Sequence, residues 1–321
     1  MENLLTIENL RTYFFTSDGI VKSVDGINLS VKRGGRLGIV GESGSGKSVT
    51  AFSILRLVSP PGKIISGKVI LKDTGDLLSL SESEIRKVRG SKVAMVFQEP
   101  MTSLNPVFTI GDQIEEAIAL HQNLSKQERK KQVIESLRLV GIPDPERIAD
   151  SYPHELSGGM RQRAMIAMAL SCRPDLLIAD EPTTALDVTI QAQVLALLKD
   201  LQKKLEMSFI LITHDLGIIA ETVEDVAVMY AGHVVEQAST SKLFETPRHP
   251  YTRALLKAIP SMDGDRSLTA IPGSVPDLAH LPKGCPYQNR CENVQSKCYE
   301  SDPELVEATP THWVRCYFPY T

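Results

Sequence analysis

A glycine-rich stretch, GESGSGKS from Gly41 to Ser48, fits the pattern G-x-x-x-x-G-K-[ST] of a phosphate-binding loop. Its glycines let successive backbone N–H groups turn toward phosphate oxygens, and the N-terminus of a following helix adds a favourable dipole. We expect Lys47 to reach the β- and γ-phosphates of a nucleotide, and Ser48 to offer its hydroxyl to Mg²⁺. A flexible surface turn is the alternative, which the apolar runs on both sides of the stretch disfavour.

Polar side chains end three apolar runs elsewhere in the chain. Asp180 and Glu181 follow DLLIA, His214 follows SFILIT, and Gln98 follows VAMVF. Ligands of open α/β sheets bind outside the carboxyl ends of the strands, so we expect these side chains at one edge of a sheet. We predict that Asp180 holds the magnesium shell and that Glu181 polarises an attacking water as general base. His214 is expected to sense the γ-phosphate.

A second phosphate-binding element is predicted at LSGGMRQR, residues 156–163. Ser157, Gly158 and Gly159 precede an apolar helical run, and a helix N-terminus flanked by small residues suits an anion. The chain therefore has two phosphate-binding elements but one lysine of the loop type. A head-to-tail dimer accounts for this, because each nucleotide would lie between the loop of one chain and the Ser-Gly-Gly of the other.

Strands and helices must alternate to position these residues. Apolar runs typical of strands include LLTIENL, INLSV, LGIV, GKVILK, KVAMVF, DLLIA, SFILIT, VAVMY and GHVVEQA. Helical spacing follows the loop in SVTAFSILRLV, continues from about residue 110 to 140, and recurs in RQRAMIAMAL and TIQAQVLALLKDLQKKL. This order predicts an α/β core with a largely parallel sheet. The mainly helical segment from about 103 to 172 interrupts the alternation and is interpreted as an inserted subdomain.

Composition narrows the class of protein. The 321 residues are 42 % hydrophobic and 23 % charged, with a formal net charge of −4, which indicates a globular chain and gives no basic footprint for nucleic acid. Neither a secretory signal nor an apolar run of about 18 residues is visible. We therefore expect a protein of the reducing cytosol. Ten of the nineteen prolines lie beyond residue 245, which predicts a second, small domain there.

With these motifs in this order, the sequence resembles the ATPase subunit of an ABC transporter over about residues 4–240. The matching motifs are the loop at 41–48, Gln98, the LSGGM signature at 156–160, the strand and acid at 176–180, Glu181, the ALD segment at 185–187 and His214. The resemblance implies an α/β P-loop fold of the ABC nucleotide-binding type, with a mostly parallel core sheet, an antiparallel N-terminal β part and an inserted helical subdomain. We expect this ATPase domain at 1–245 and a small Pro- and Cys-rich domain at 246–321.

The resemblance also implies the residues of a nucleotide site. Tyr13 is expected to stack on adenine, with Phe14 and Phe15 as alternatives. The residues expected in catalysis are Glu181, His214 and Gln98. Those expected to hold Mg²⁺ are Ser48, Gln98 and Asp180. The other residues expected to contact ATP are Gly41, Ser43, Gly44, Ser45, Gly46, Lys47, Val49, Ser157, Gly158, Gly159 and Asp187. Met160 stands where many members have Gln, which we expect to leave the contact intact.

The mechanism that the resemblance implies is a cycle of dimer closure. ATP closes a dimer of ATPase subunits, hydrolysis reopens it, and the motion drives membrane partners. The segment QEPMTSLNP, which begins at Gln98, is where such ATPases receive a coupling helix from the membrane subunit. Because no membrane span is visible, we expect the permease subunits to be separate chains, and this chain to bind peripherally at the cytoplasmic face of the cell membrane.

Four of the five cysteines lie in the last forty residues. They are spaced C-x5-C-x6-C-x17-C, at Cys285, Cys291, Cys298 and Cys316. A reducing compartment disfavours disulfides, and structural zinc usually shows a pair spaced C-x2–4-C, which is absent here. An iron–sulfur cluster needs four thiolates and tolerates varied spacing, so the pattern favours a metal, with a cluster ahead of zinc. Cys172 lies in a predicted apolar helix and is expected to be a core residue.

The segment TPRHPYTRALLKAIP, residues 246–260, precedes this tail and resembles the ATPases of dipeptide and oligopeptide importers, with nickel importers as relatives. Some of these carry a [4Fe–4S] cluster, which implies that the four late cysteines are cluster ligands. The resemblance implies an engine for importing short peptides, paired with itself or a related ATPase and supplied by an extracytoplasmic binding protein. The alternatives are an importer of nickel or another small solute, and a soluble ABC ATPase acting on ribosomes or nucleic acid.

Overall fold

The computed structural model describes residues 2–98, 103–184, 187–258 and 271–321. The chain divides into two compact units. The first unit comprises Met1–Lys32, Arg36–Ser79 and Leu211–Thr321. The second unit comprises Arg33–Gly35 and Leu80–Ile210. Within the described ranges, no helix combines the length and the apolar character needed to cross a membrane.

Short strands and helices follow one another along the described chain. The strands are Asn3–Thr16 (β1), Gly19–Lys32 (β2), Arg36–Val40 (β3), Gly62–Leu71 (β4), Gly75–Asp76 (β5), Val93–Val96 (β6), Leu176–Asp180 (β7), Ser208–Thr213 (β8), Asp225–Tyr230 (β9), His233–Ser239 (β10), Val306–Thr309 (β11) and His312–Val314 (β12). The α-helices are Lys47–Ile54 (α1), Glu82–Val88 (α2), Ile110–His121 (α3), Lys126–Leu139 (α4), Pro145–Ala149 (α5), Gly158–Leu170 (α6), Val188–Lys204 (α7), Leu216–Thr222 (α8), Thr240–Glu245 (α9), Pro250–Lys257 (α10) and Lys297–Glu300 (α11). This order confirms the α/β class.

The N-terminal strands of the first unit form an antiparallel sheet in the order β2-β1-β4-β5. Buried positions recur at every second residue in Leu5–Ile7 and in Leu10–Thr12 of β1, as in a strand with one face on a core. It is longer than the predicted LLTIENL, because the residues TYFFT after Leu10 are aromatic or β-branched and favour extended backbone. A tight hairpin pairs Thr16 with Gly19 and leads into β2. The expected antiparallel N-terminal part is confirmed.

The remaining strands of the first unit lie in the order β11-β12-β10-β9-β3. Strands β3 and β9 are parallel, whereas β10 pairs antiparallel with both β9 and β12. Strands β11 and β12 were not expected from the sequence, and they attach the last part of the tail to β10 through the pair Glu236 and Val314. The first unit thus contains residues on both sides of position 245, and the domain boundary there stays a prediction.

The second unit contains the parallel pair β6 and β7. Every residue of both strands is buried. A continuous apolar run of this kind is typical of parallel strands covered on both faces, which is why VAMV and LLIA lack the alternation of β1. Strand β8 is equally buried and leads from the second unit back to the first. The parallel core expected from the sequence is confirmed.

The helical part of the second unit differs from its prediction in one respect. The periodicity from about residue 110 to 140 is not one helix, because α3 ends at His121 and α4 begins at Lys126. Ser125 and Glu128 form a capping box that starts α4, a pattern visible in the sequence as SKQE. Cys172 is also placed differently: it lies two residues beyond α6, half-buried, and its thiol donates to the Ala117 carbonyl over 3.6 Å.

A buried carboxylate attaches the C-terminal segment to strand β10. Glu236 is fully buried and accepts hydrogen bonds from His312 Nε2 at 2.7 Å, from Arg248 N at 2.7 Å and from His249 N at 2.9 Å. Burial acts to raise the pKa of Glu236, but the hydrogen bonds from His312 and the two backbone groups outweigh it and hold the pKa below its ordinary value. Glu236 therefore stays ionised and joins three segments of the first unit.

We expect Glu236→Ala to lower the free energy of unfolding by about 3 kcal/mol or more, because three donors to a fully buried carboxylate lose their acceptor at once. Urea denaturation followed by circular dichroism measures the change. The control is Glu135→Ala, which removes a half-exposed carboxylate 4.0 Å from Lys131 and should change stability by less than about 0.5 kcal/mol. Equal effects of the two substitutions would contradict this role of Glu236.

Candidate functional site

The loop 41–48 connects β3 to α1, as its sequence predicts. Its glycines take backbone conformations that other residues adopt at a cost: φ is +154° at Gly41 and +102° at Gly46. A Cβ atom at Gly46 would lie 2.1 Å from the Ser23 carbonyl oxygen, and one at Gly41 would lie 2.2 Å from that of Met229. The loop is therefore shaped by close backbone approach from two neighbouring strands.

The polar groups of this loop suit an anion. Lys47 is buried at the first position of α1, and its ammonium group donates to Gly41 O at 2.8 Å and to Glu42 O at 3.0 Å. The hydroxyl of buried Ser45 has no hydrogen-bond partner among the described residues. Ser48 follows in the first turn of α1. A cation, an unpaired hydroxyl and a helix N-terminus together can hold phosphate oxygens.

The other predicted contacts of this element are its exposed tip and the start of the helix. Ser43 and Gly44 are exposed, and Val49 is half-buried in the first turn of α1. Gly44 has φ of +78°, and a Cβ atom added there would meet no other atom within 4 Å. At Gly44 only the left-handed backbone conformation favours glycine. At Gly46 both the conformation and the lack of room for a Cβ atom favour it.

Tyr13, the residue expected to stack on adenine, lies in β1 and donates its hydroxyl to Asp25 Oδ1 over 2.8 Å. The Lys22 ammonium lies 5.7 Å from its ring centre. Burial, followed by the hydrogen bond to Asp25, raises the pKa of Tyr13 to about 12. Of the two alternatives, Phe15 is 42 % exposed, and the ring of Phe14 packs near Gly62. The choice among the three aromatic residues stays a prediction.

The second unit places two of the predicted catalytic residues together. Gln98 Nε2 donates to Glu181 Oε2 over 3.1 Å, so the side chains after β6 and β7 meet at one sheet edge, as expected. Asp180 is buried at the last position of β7. Glu181 follows it with φ of +44°, a left-handed conformation that is costly for a residue with a side chain and that recurs at functional sites.

One contributor to this pair, Thr184, was not predicted from the sequence. The Thr184 hydroxyl donates to Glu181 Oε2 over 3.0 Å, and the Thr184 N–H donates to the Glu181 carbonyl over 3.1 Å. Glu181 is therefore oriented by donors from both sides. The signal was available in EPTT, where a threonine three residues after an acid can close a turn on it.

The structure also describes the surroundings of His214 and of the signature residues, whose roles stay predictions. His214 is exposed immediately after β8 in the first unit. In the second unit, Ser157 caps α6 by accepting from Met160 N, and Gly158 and Gly159 form the first turn. Asp187 caps α7. Residues 185–186 of the ALD segment and 99–102 of the expected coupling segment lie outside the described residues.

The four late cysteines converge on one cavity of the first unit. Cys285, Cys291, Cys298 and Cys316 line one small cavity, together with His249 and Tyr287. None of them forms a disulfide. Gly284 makes this approach possible, because with φ of +89° it lies where a Cβ atom would be 2.3 Å from the Cys298 carbonyl oxygen.

The titration of Cys285, Cys291 and Cys316 reflects their burial. Burial raises the pKa of Cys285 to about 12 and that of Cys316 to about 11, and it raises the pKa of Cys291 as well. Within the described ranges, no group of three or more His, Cys, Asp or Glu side chains could hold a metal ion. The metal site predicted at the cysteines is therefore not supported by the structure.

Comparison with known proteins gives consistent results. A family model described as ABC transporter matches residues 24–184, and one described as oligopeptide/dipeptide transporter, C-terminal region, matches residues 235–298. The chain is 52 % identical over 319 residues to the oligopeptide transport ATP-binding protein AppD of Bacillus subtilis (strain 168), covering 99 % of this chain and 97 % of that protein. It is 48 % identical over 317 residues to the dipeptide transport ATP-binding protein DppD of Escherichia coli (strain K12), covering 98 % and 97 %.

A solved structure is similar as well. It is the dimeric post-hydrolysis state of the ATP-binding cassette MJ0796 bound to ADP and Pi, with a TM-score of 0.66 and 29 % sequence identity. The match covers 74 % of this chain and 98 % of that one. The match thus spans nearly all of that cassette, whereas about a quarter of this chain lies outside it.

The two loop glycines provide a matched pair of substitutions. We expect Gly46→Ala to lower the free energy of unfolding by about 3 kcal/mol or more, because the new methyl group meets a carbonyl oxygen at 2.1 Å. Gly44→Ala, with open space around it, should cost about 1 kcal/mol from the left-handed backbone alone. Urea denaturation measures both, and an equal cost would show that close approach does not shape the loop.

Proposed function

The chain belongs to the ABC transporter family, and we propose that it is the subunit that binds and hydrolyses ATP to power an importer of short peptides. The observation that carries the ATPase assignment is the loop 41–48, with buried Lys47 and the partnerless Ser45 hydroxyl at the start of a helix. The peptide assignment rests on relatives named for oligopeptide and dipeptide transport that match almost the whole chain.

The loop and the acids divide the work of holding MgATP. Lys47 and the N–H groups of the first turn of α1 would bind the β- and γ-phosphates, and Ser48 would offer its hydroxyl to Mg²⁺. Asp180 and Gln98 would complete the magnesium shell. Bound Mg²⁺ supplies charge neutralisation for the phosphoryl oxygens. Two features of the chain support this assignment: the unpaired Ser45 hydroxyl and the burial of a cationic side chain among carbonyl oxygens.

Glu181 is proposed as the general base. Its Oε2 atom accepts from Gln98 and Thr184, so the carboxylate is oriented, and a carboxylate can take a proton from water. The left-handed backbone at Glu181 supports a functional role, since such strained conformations cluster at functional sites. His214, exposed at the end of β8, is proposed to bind the γ-phosphate.

Two copies, or this chain and a related subunit, form the working dimer. Ser157 and the glycines after it present the N-terminus of α6, which would bind the nucleotide held by the loop of the partner. Similarity to a cassette solved as a dimer supports this arrangement. Met160 in place of the usual Gln leaves the backbone N–H groups of the first turn unchanged.

Permease subunits are the proposed membrane partners, with the chain at the cytoplasmic face. Val107 and Phe108, just beyond the segment expected to receive a coupling helix, are 71 % and 52 % exposed. Exposed apolar side chains of this size favour contact with another protein. An extracytoplasmic binding protein would deliver the peptide to the permease. The formal net charge of −4 gives no support to the nucleic-acid alternative.

We extend the proposal to a [4Fe–4S] cluster held by Cys285, Cys291, Cys298 and Cys316. What supports it is the convergence of four free thiols on one cavity. A cluster binds each thiolate to its own iron, so its ligands are spread more widely than the compact group that a single zinc ion needs. When bound, it would staple a proline-rich segment that has little core of its own.

We expect Glu181→Gln to bind ATP within about twofold of the wild type and to lose turnover by about a hundredfold or more, because the amide cannot accept the proton of water. Calorimetric titration with MgATP and phosphate release measure the two quantities. Cells whose own copy is replaced by the variant should fail to take up a labelled tripeptide. Glu135→Gln, on an exposed helix face, is the control and should behave as wild type.

Wild-type turnover in Glu181→Gln would remove Glu181 from the role of base. A wild-type chain that hydrolyses ATP but does not support tripeptide uptake would contradict the peptide assignment and leave the ATPase assignment standing.

For the cluster, we expect anaerobically purified protein to be brown and to contain about four irons per chain. Cys298→Ser should lose the visible absorbance, because it removes one of the four ligands. Cys172→Ser is the control and should keep it, since Cys172 lies in the second unit, bonded to the Ala117 carbonyl. Colourless protein that contains stoichiometric zinc would contradict the cluster.

A further inference from the structure

Glu42, the second residue of the phosphate-binding loop, is held by the C-terminal part of the first unit. Its backbone N–H donates to the Tyr251 hydroxyl over 2.9 Å. Its carboxylate accepts from both terminal nitrogens of Arg290, at 2.6 and 3.0 Å, and its carbonyl accepts from Lys47 over 3.0 Å. Every polar group of Glu42 is therefore engaged, two of them by residues more than 200 positions away.

Arg290 is itself fixed in place. Its side chain is 4 % exposed, and its Nε donates to the Pro272 carbonyl over 2.9 Å. Its backbone N–H closes a turn onto the Tyr287 carbonyl at 3.0 Å. The planar guanidinium thus meets the Glu42 carboxylate as a bidentate fork, the geometry that gives the strongest and most directional ion pairs.

Three tyrosine rings connect this ion pair to the rest of the tail. The ring centres of Tyr230 and Tyr251 are 4.6 Å apart, and Tyr287 lies 5.1 Å from the first and 5.4 Å from the second. The Arg290 guanidinium lies 5.8 Å from the Tyr230 ring. Tyr287 also lines the cysteine cavity, and Cys291 follows Arg290 in the chain. The tail therefore packs from the cavity directly to the loop.

The ion pair matters for an anionic ligand. A carboxylate inside a phosphate-binding loop repels a triphosphate, and the repulsion grows as the pair is removed from water. Arginine stays charged at all ordinary pH values, so Arg290 offsets the charge of Glu42 permanently. Tyr251 adds a neutral restraint on the same residue, acting on the backbone rather than on the charge.

We propose that Arg290 and Tyr251 are positioning residues for ATP: both hold Glu42 in place and Arg290 neutralises its charge, so that the C-terminal tail sets the affinity of the loop for ATP. The inference rests on the proposed function, because it takes ATP to be the ligand of the loop. It assigns the tail a part in nucleotide binding, in addition to any role in holding the tail together.

The test measures the Kd of MgATP by calorimetry, and KM and kcat by phosphate release, on the full chain. Arg290→Ala should weaken ATP binding and raise KM about tenfold, with kcat changed less than about twofold, because Glu181 and its partners are untouched. Arg290→Lys keeps the charge but loses the bidentate contact, so its Kd for ATP should lie between those of the wild type and Arg290→Ala. Tyr251→Phe removes one hydroxyl and should weaken binding about threefold.

A double substitution separates charge from packing. Glu42→Gln combined with Arg290→Ala removes the carboxylate that Arg290→Ala leaves unpaired, so it should recover most of the lost affinity. A purely structural role for Arg290 predicts no recovery. Arg253→Ala is the matched control: this tail arginine lies over the Tyr320 ring, 4.2 Å from its centre, and its loss should leave the Kd unchanged.

Two outcomes overturn the proposal. One is an Arg290→Ala chain that melts at the wild-type temperature and binds ATP as tightly as wild type. The other, which decides the case if Arg290→Ala does not fold, is unchanged affinity in both Arg290→Lys and Tyr251→Phe. Lys47→Ala distinguishes failure of this proposal from failure of the proposed function. If Lys47→Ala abolishes ATP binding while the tail substitutions do not weaken it, the loop still binds ATP and the tail proposal is wrong.

Discussion

The loop 41–48 works only if its backbone keeps a shape that is unfavourable for most residues. Gly41 and Gly46 lie against carbonyl oxygens of the neighbouring segments at distances that no Cβ atom tolerates. Backbone carbonyl groups of β2 and β9 therefore fix the conformation of the loop, and α1 begins directly after it. The antiparallel sheet and the other strands of the first unit together hold the backbone N–H groups of the loop in place for an anion.

A loop built to attract phosphate also has to manage its own charges. Lys47 supplies a buried cation, and Glu42 places an anion five residues before it. Arg290, in the C-terminal tail, pairs with the Glu42 carboxylate. Glu236 of β10 holds the same tail by accepting hydrogen bonds from His312 and from two backbone N–H groups. The Arg290 ion pair and the hydrogen bonds to Glu236 thus join the tail to the rest of the first unit, and the cysteine cavity lies within the segment that they hold.

The chemistry of the site was largely predictable because its motifs are local. A glycine-rich loop between a strand and a helix, and acids at the end of an apolar strand, carry their geometry in a few consecutive residues. The break before α4 was also predictable in principle, since SKQE spells out a capping box. The hydrogen bond from Thr184 to Glu181 could have been anticipated in the same way, from a turn of four residues.

The sequence alone determined the α/β class, the loop, the order of the motifs and the positions of the catalytic candidates, because each depends on backbone preferences within about ten residues. Only the tertiary structure decided which distant residues meet: Arg290 with Glu42, 248 positions away, and β12 with β10. It also brought the four late cysteines to one cavity but, among the residues described, not into a group that could hold a metal ion. Contacts of this kind depend on packing between segments that are far apart in sequence. The spacing of residues along the chain does not tell how close such segments come in space.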